Sequence, residues 1–265
     1  MNVTWLGQSG YLLECDGQRL VVDPYLGDIV EREQGLRRLV PPPCSAADLA
    51  PDALLITHDH LDHYDPDAVR AIMSAFPACR LVGPASVMAH GARDGFGAGR
   101  MAPLDAGGTI RLGSVSVTAT PARHSDASAV GLLIGSKNAR LWFSGDTLYA
   151  PDLAPQIRRL AGRPPDAAFV CMNGRLGNMG IDDAVRLLVE LQPGVAVPSH
   201  YGMFAENTGD PAEFAAACAR AGLRAMVLDP GRPLQFPGTR TEAENSKLQG
   251  SRKPERREVG KSAIV

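Results

Sequence analysis

From Thr57 to His63 the chain reads Thr-His-Asp-His-Leu-Asp-His, placing three of its six histidines and two aspartates within seven residues. His58 and His60 are two apart, so in extended backbone their side chains project to the same side. Asp62 continues that alternation and His63 follows it. Ionisable groups packed this closely repel one another or must be desolvated, and burying them without compensation is costly. A divalent cation removes that penalty. Imidazole and carboxylate donors suit zinc, manganese, iron, cobalt or nickel. Metal binding is therefore the expected chemistry, against a plain polar cluster. Cysteine takes no part in it: Cys15, Cys44, Cys79, Cys171 and Cys218 are widely spaced, with no CxxC pair, and are expected to be free, buried thiols.

Such a loop needs rigid elements around it. The apolar run at 53–56 predicts a buried strand leading into it, where sites sit on sheet scaffolds. A helix is predicted over 66–76, with Pro66 in its first turn and Val69, Ile72, Met73 and Phe76 on one face. Before the loop, strands at 3–6, 11–14 and 19–23 are broken by Gly7-Gln8-Ser9-Gly10 and by the Asp16-Gly17 turn, which argues for an antiparallel hairpin. Residues 27–51 predict an irregular surface excursion near the site opening. After the loop, strands are predicted at 79–82, 109–112, 115–119, 129–134 and 140–143. Residues 84–100 predict a short helix and a Gly-rich loop. The rhythm then becomes helix–strand: helices over 152–162, 181–191 and 211–221, strands at 167–172, 195–197 and 223–228. This alternation predicts α/β layers.

Composition narrows the setting. A chain of 265 residues can bury a substantial core, and 45% apolar content is ordinary for a globular protein. A net charge of −2 gives no general nucleic-acid surface. No stretch approaches ~20 apolar residues, so no membrane span is expected. Met1-Asn2-Val3-Thr4 lacks the basic run and apolar core of a secretory leader, and a reducing cytoplasm is the expected location. Residues 1–236 are expected to form one domain. Residues 237–265 form a polar, basic tail, expected to be disordered alone or to pack on the domain or on a neighbouring subunit of a homo-oligomer.

His58-x-His60-x-Asp62-His63 resembles the HxHxDH motif of the metallo-β-lactamase superfamily. Later signals match in order, each at the end of a predicted strand: His124 in Pro-Ala-Arg-His-Ser, Asp146 in Ser-Gly-Asp-Thr and His200 in Pro-Ser-His-Tyr-Gly. The resemblance covers residues 1–236 and implies a four-layer αβ/βα sandwich, two mixed sheets flanked by helices. It implies that His58, His60 and His124 hold one metal ion, that Asp62, His63 and His200 hold a second, and that Asp146 bridges them. Zinc or manganese are the expected ions. Such a pair, ~3.5–4 Å apart, shares a water that loses a proton near neutral pH and serves as nucleophile, and it polarises the scissile oxygen. Redox-active members usually carry a carboxylate in place of one motif histidine, so His60 points to hydrolysis. Asp62, Asp146 and Tyr201 are the expected catalytic groups. Asp59 lies outside the ligand pattern and is expected either to orient a histidine or to be solvated. His90 is expected to be a surface or locally bonded residue. Gln8 and Asp23, at early strand ends, are expected to support the metal loop.

Within the superfamily the chain is similar to the ascorbate-6-phosphate lactonase-like branch at Trp5-Leu6-Gly7-Gln8-Ser9-Gly10-Tyr11 with Val22-Asp23-Pro24-Tyr25, at 172–179, and at 198–204 with 207–211. The lactonase is longer, and this chain lacks room for its extra segments. The resemblance implies a hydrolase of a small anionic lactone or ester. Asn173, Arg175 and Asn178 precede a predicted helix N-terminus, which favours anions, and Arg175 offers a multi-donor fork. Tyr201 is expected to donate to a developing oxyanion or only to pack, and Asn207 to line the pocket or cap the helix at 211. A phosphodiesterase acting on a cyclic nucleotide or RNA would instead require an open basic channel. A metal-stabilised protein-binding module is the non-catalytic alternative.

Overall fold

Asp16 and Gly17 both hold positive φ, 50° and 77°, as a two-residue hairpin between right-twisted strands requires. The computed structural model, which describes residues 1–236, therefore begins with a meander. β1 (Asn2–Gly7), β2 (Gly10–Cys15) and β3 (Gln18–Val22) pair antiparallel. From β3 onward the sheet is parallel, through β4 (Ala53–Leu55), β5 (Arg80–Gly83) and β6 (Met101–Pro103). Parallel neighbours need crossovers. Residues 27–51 supply the first, α3 (Pro66–Ala75) the second and α4 (Ala85–Arg93) the third. The excursion at 27–51 is not wholly irregular, because it contains two short helices, α1 (Ile29–Gln34) and α2 (Ala46–Leu49).

The second sheet repeats the plan. β7 (Thr109–Leu112), β8 (Val115–Pro121), β9 (Val130–Gly135) and β10 (Arg140–Phe143) pair antiparallel, and β11 (Ala167–Cys171) and β12 (Ala196–Ser199) continue in parallel. The helices here are α5 (Leu153–Ala161), α6 (Ile181–Leu191) and α7 (Pro211–Arg220). β13 (Pro233–Gln235) returns to pair with β1.

Side-chain alternation builds the layers. Leu20, Val22, Ala53 and Leu55 face the second sheet and meet Val117, Leu132, Phe143 and Phe169. The intervening Val21, Leu54 and Ile56 face outward onto Val69, Ile72 and Met73 of α3 and Val87 of α4. The buried apolar stripe of α3 contributes about 1.5–3 kcal/mol per fully buried side chain. Tyr11 clamps the two sheets, its ring 5.1 Å from Phe143 and 5.0 Å from Phe169. Ile157, Leu187, Leu188 and Phe214 cover the far side. The result is two mixed sheets flanked by helices, the α/β sandwich expected.

The segment at 223–228 does not form the predicted strand. It makes one parallel bridge, in which Ala196 N donates to Arg224 O (2.8 Å) and Met226 N to Ala196 O (2.9 Å). The next outward-facing donor on β12 would be the N–H of residue 198, and Pro198 has none. No helix among the described residues is long and apolar enough to cross a membrane. The polar tail at 237–265 lies outside the described residues.

Candidate metal centre

One edge of the sandwich gathers the strand ends. Gln8 follows β1, Asp23 follows β3, the histidine loop follows β4, and His124, Asp146 and His200 follow β8, β10 and β12. Two backbone hydrogen bonds tie the sheets at this edge, from Val130 N to Thr57 O (3.0 Å) and from His200 N to Gln8 O (3.2 Å). Gly145 allows the approach: a Cβ there would lie 2.8 Å from Val130 O and 3.0 Å from the Thr57 Cβ, and its φ is +57°. Within the loop, His63 N and Tyr64 N both donate to His60 O (2.9 and 2.7 Å), which turns His63 back towards His58.

Seven side chains meet there in three overlapping groups, with the donor atoms of each within 4.8 Å of one another: His58, His60 and His124; His58, His63 and Asp146; Asp62, His63 and His200. His60 Nδ1 lies 3.1 Å from His58 Nε2 and 3.1 Å from His124 Nε2. His200 Nε2 lies 3.1 Å from Asp62 Oδ2, and His63 Nε2 lies 3.7 Å from the same oxygen. Asp146 spans both sides. Its Oδ2 is 3.2 Å from His200 Nε2, 3.9 Å from His124 Nε2 and 4.0 Å from His58 Nε2, and its Oδ1 is 3.3 Å from His63 Nε2. This donor set fits two divalent cations. The buried His63 Nε2 and Asp146 Oδ1 meet no hydrogen-bond partner, a condition that demands an explanation in a native interior and that a metal ion supplies.

The outer ring nitrogens are aimed by the chain. His63 Nδ1 donates to Asp23 Oδ2 (2.8 Å), and Asp23 is itself fixed by Thr57 N (2.8 Å) and Thr57 Oγ1 (2.7 Å). His124 Nδ1 donates to Gly177 O (3.1 Å). Each bond leaves Nε2 with its lone pair turned inward, the arrangement that orients metal-ligating histidines. Gln8 Nε2 donates to Asp62 Oδ2 (2.8 Å), and Asn178 Nδ2 to Asp146 Oδ2 (2.8 Å). Gln8 and Asp23 thus support the loop as expected. Asp59 does not orient one of its histidines. It pairs with His90 and with Arg93 (3.3 Å), pinning the loop to α4.

Charge divides the histidines. Burial, reinforced by His63, holds His58 well below the usual histidine range, and burial with His124 lowers His60. Both are neutral donors. Burial opposes charge on His63 and His200 too, but Asp146 and Asp62 prevail, raising His63 well above its ordinary value and His200 to about 9. Burial alone would raise Asp62 and Asp146, yet the facing His63 and His200 hold both below the ordinary value. Without cations the two carboxylates thus favour the protonated forms of His63 and His200, and metal binding would compete with those protons.

Residues 18–201 match the model of the beta-lactamase superfamily domain. The chain belongs to that superfamily. It is 33% identical over 246 residues to a UPF0173 metal-dependent hydrolase of Deinococcus radiodurans, covering 89% of this chain and all of the relative. Among solved structures it resembles a metallo hydrolase of Ignicoccus hospitalis (TM-score 0.71, 24% identity, 90% of this chain and 99% of that one). It also resembles an isothiocyanate hydrolase from Delia radicum gut bacteria (TM-score 0.74, 20% identity, 90% and 100%). These two likenesses bear on the fold.

Against the centre of this superfamily member lies a cavity of about 270 Å3, lined by His60, Asp62, Asp146 and His200 of the centre, by the apolar Val30, Leu36, Leu176 and Phe204, and by Gln34, Ser125 and Asn207. Asn207 thus lines the pocket, and the cap of α7 is Asp210. The other expected substrate contacts lie off the wall. Asn173 Nδ2 donates to Asn207 Oδ1 (2.6 Å), Asn178 is held on Asp146, and Arg175 is exposed. Tyr201 stacks on Trp5 at 4.9 Å, and burial raises its hydroxyl pKa. The N-terminus of α6 faces a groove lined by Asp182, Asp183, Asp210 and Glu213, carboxylates that repel the anion expected there. Sequence reasoning did not single out Thr57, Gly177 or the apolar wall, because none carries a chemical signature of its own.

Proposed function

We propose that this protein opens a small lactone or ester at two divalent metal ions, zinc or manganese, with His58, His60 and His124 on one side, Asp62, His63 and His200 on the other, and Asp146 between. The observation that carries the proposal is Asp146 Oδ2, which lies within 4.0 Å of ring nitrogens of both groups. Superfamily membership and the donor geometry support the broader statement, a metal-dependent hydrolase. Ions held there would lower the pKa of a shared water and polarise the scissile carbonyl.

The chain's own groups bind and orient. Asn207 Oδ1 is engaged by Asn173, which leaves the Asn207 amide hydrogens to face the substrate oxygen. Gln8 and Asn178 hold Asp62 and Asp146 in place. No Arg or Lys lines the cavity among the described residues, so an anionic group on the substrate would be met by the ions. The same absence weighs against a phosphodiester of RNA, whose backbone is gripped by basic side chains. A panel of lactones, carboxylic esters and phosphodiesters, run on protein whose metal is identified by elemental analysis, tests the proposal. Lactone or ester turnover that disappears in His60→Ala, while the far-ultraviolet spectrum is kept, is the expected result. Turnover surviving in His60→Ala would overturn the metal mechanism.

A further inference from the structure

We infer that the substrate carries a short, uncharged apolar group on the side away from the bond that is broken, and that Leu36, Leu176 and Phe204 select it. This rests on the hydrolase reading and adds the chemical class of the part the metal centre does not touch. The cavity lining is mixed: beside the metal-ligating groups and the polar Gln34, Ser125 and Asn207 it includes Val30, Leu36, Leu176 and Phe204, of which Val30, Leu36 and Phe204 belong to one packed apolar cluster. The apolar side is preformed. Leu36 packs on a cluster of Tyr25, Ile29, Val30, Met203 and Phe204. Leu39 N donates to Met203 O (2.7 Å), which fastens the excursion to the loop that carries Phe204.

Arg38, two residues beyond Leu36, is engaged by the backbone and does not line the cavity. Arg38 Nε and Nη1 donate to Val40 O (2.8 Å) and Gly27 O (2.6 Å), and its guanidinium lies 5.0 Å from the Tyr25 ring centre. At the rim, Leu176 is 70% exposed. It holds φ of +52°, a region that a leucine adopts only when its surroundings impose it. The imposition comes from its successors, since Gly177 O accepts from His124 and Asn178 donates to Asp146. A large apolar side chain is thus held in water, in strained backbone, at the mouth of the cavity. An apolar ligand group gives it a partner.

The volume sets a limit. At ~30 Å3 for each water-sized group, the cavity holds about nine non-hydrogen atoms. A reactive ester group with an alkyl arm of about four to six carbons fills it. Each buried methylene should then strengthen binding about fourfold.

The test is calorimetric titration of the metal-loaded protein with butanoate, hexanoate and adipate, product-like carboxylates that differ at the far end. Hexanoate, longer by two methylenes, is expected to bind about fifteenfold more tightly than butanoate, and adipate, with a charge at the apolar end, more weakly than hexanoate. Leu176→Arg, on the exposed rim where folding is not at stake, is expected to reverse the order of hexanoate and adipate. Equal binding of butanoate and hexanoate, or adipate preferred by the unaltered protein, overturns the inference. Lactone turnover is read separately: alkyl-ordered binding without hydrolysis of any lactone or ester would sink the hydrolase reading and leave this one standing.

Discussion

Replacing Asp23 with Asn changes one atom type in a fully buried network and tests whether the chain outside the centre controls it. Asp23 Oδ1 accepts from Thr57 N, and Oδ2 accepts from both Thr57 Oγ1 and His63 Nδ1. Asparagine has one acceptor oxygen and one donor nitrogen. If its oxygen keeps Thr57 N, its nitrogen faces His63 Nδ1, which must then accept. The proton moves to His63 Nε2, the atom proposed to bind metal. The opposite amide orientation leaves Thr57 N facing a donor. Loss of such an orienting partner weakens metal affinity about 10–100-fold, or about 1.4–2.7 kcal/mol. The loss should fall mainly on the group of Asp62, His63 and His200, because His63 bonds Asp23 directly while His58 meets it only through Thr57 Oγ1, 3.0 Å from His58 Nδ1. Equilibrium dialysis against buffered free metal, with metal counted per chain, should therefore show Asp23→Asn binding its second ion at 10–100-fold higher concentration while the first binds nearly as before. Two ions held with unaltered affinity would refute the tautomer argument.

Two further outcomes follow from the same contacts. Asp65 caps α3 through Asp67 N (3.0 Å) and Ala68 N (3.2 Å) and also accepts from Leu26 N (3.1 Å) and Gly27 N (2.7 Å). Asp65→Ala should cost about 2–4 kcal/mol in urea unfolding, from the lost cap and the unmet buried donors. Asp210→Ala, at the exposed cap of α7, should cost about 1 kcal/mol; equal losses would show that the bonds to 26 and 27 contribute nothing. In metal-free protein, burial disfavours charge on His200, but Asp146 and Asp62 raise it from 6.5 to about 9. Its stabilisation is complete below 6.5 and is lost as pH rises through about 9. The melting temperature with chelator should fall across that window, and the metal-loaded protein should not follow; a flat chelated profile would contradict the pairing of His200 with the two carboxylates.

What the sequence reveals here depends on how local the signal is. The histidine loop is legible because its donors are packed into seven residues, and α3 because Val69, Ile72 and Met73 recur at helical spacing. The meander is legible from Asp16-Gly17, whose residue types match the left-handed turn they occupy. The failed strand at 223–228 has suitable residues, but its fate was decided by Pro198 on a neighbour whose pairing partner sequence spacing does not name. The carboxylates that face the anion site expected before α6 are half visible in the chain, since Asp182 and Asp183 are adjacent to it, while Asp210 and Glu213 arrive only through the fold. The cavity wall is the least legible part. Val30 comes from the short α1, and Leu36, Leu176 and Phe204 come from three separate loops, where an apolar residue has no motif.

The strained positions show how the fold and the centre depend on each other. Gln8, Asp23 and His200 hold φ of 51°, 41° and 60°, conformations that sustain a cost of about 1–3 kcal/mol each only when surroundings fix them. All three stand one residue past a strand end. An extended strand sends side chains alternately to its two faces, so it cannot aim one at a point beyond its own end. A left-handed residue can. Glycine would adopt the same backbone without strain, but it has no amide, carboxylate or imidazole to present. The surroundings that hold the strain are also those of the centre: Gln8 O accepts from Trp5 Nε1 (3.0 Å) and His200 N (3.2 Å), and Asp23 N donates to Leu55 O (3.2 Å). Interlocked strand ends from both sheets therefore do two things at once. They impose the unfavourable backbone, and through it they place the groups that hold Asp62 and His63 and the ring of His200 itself.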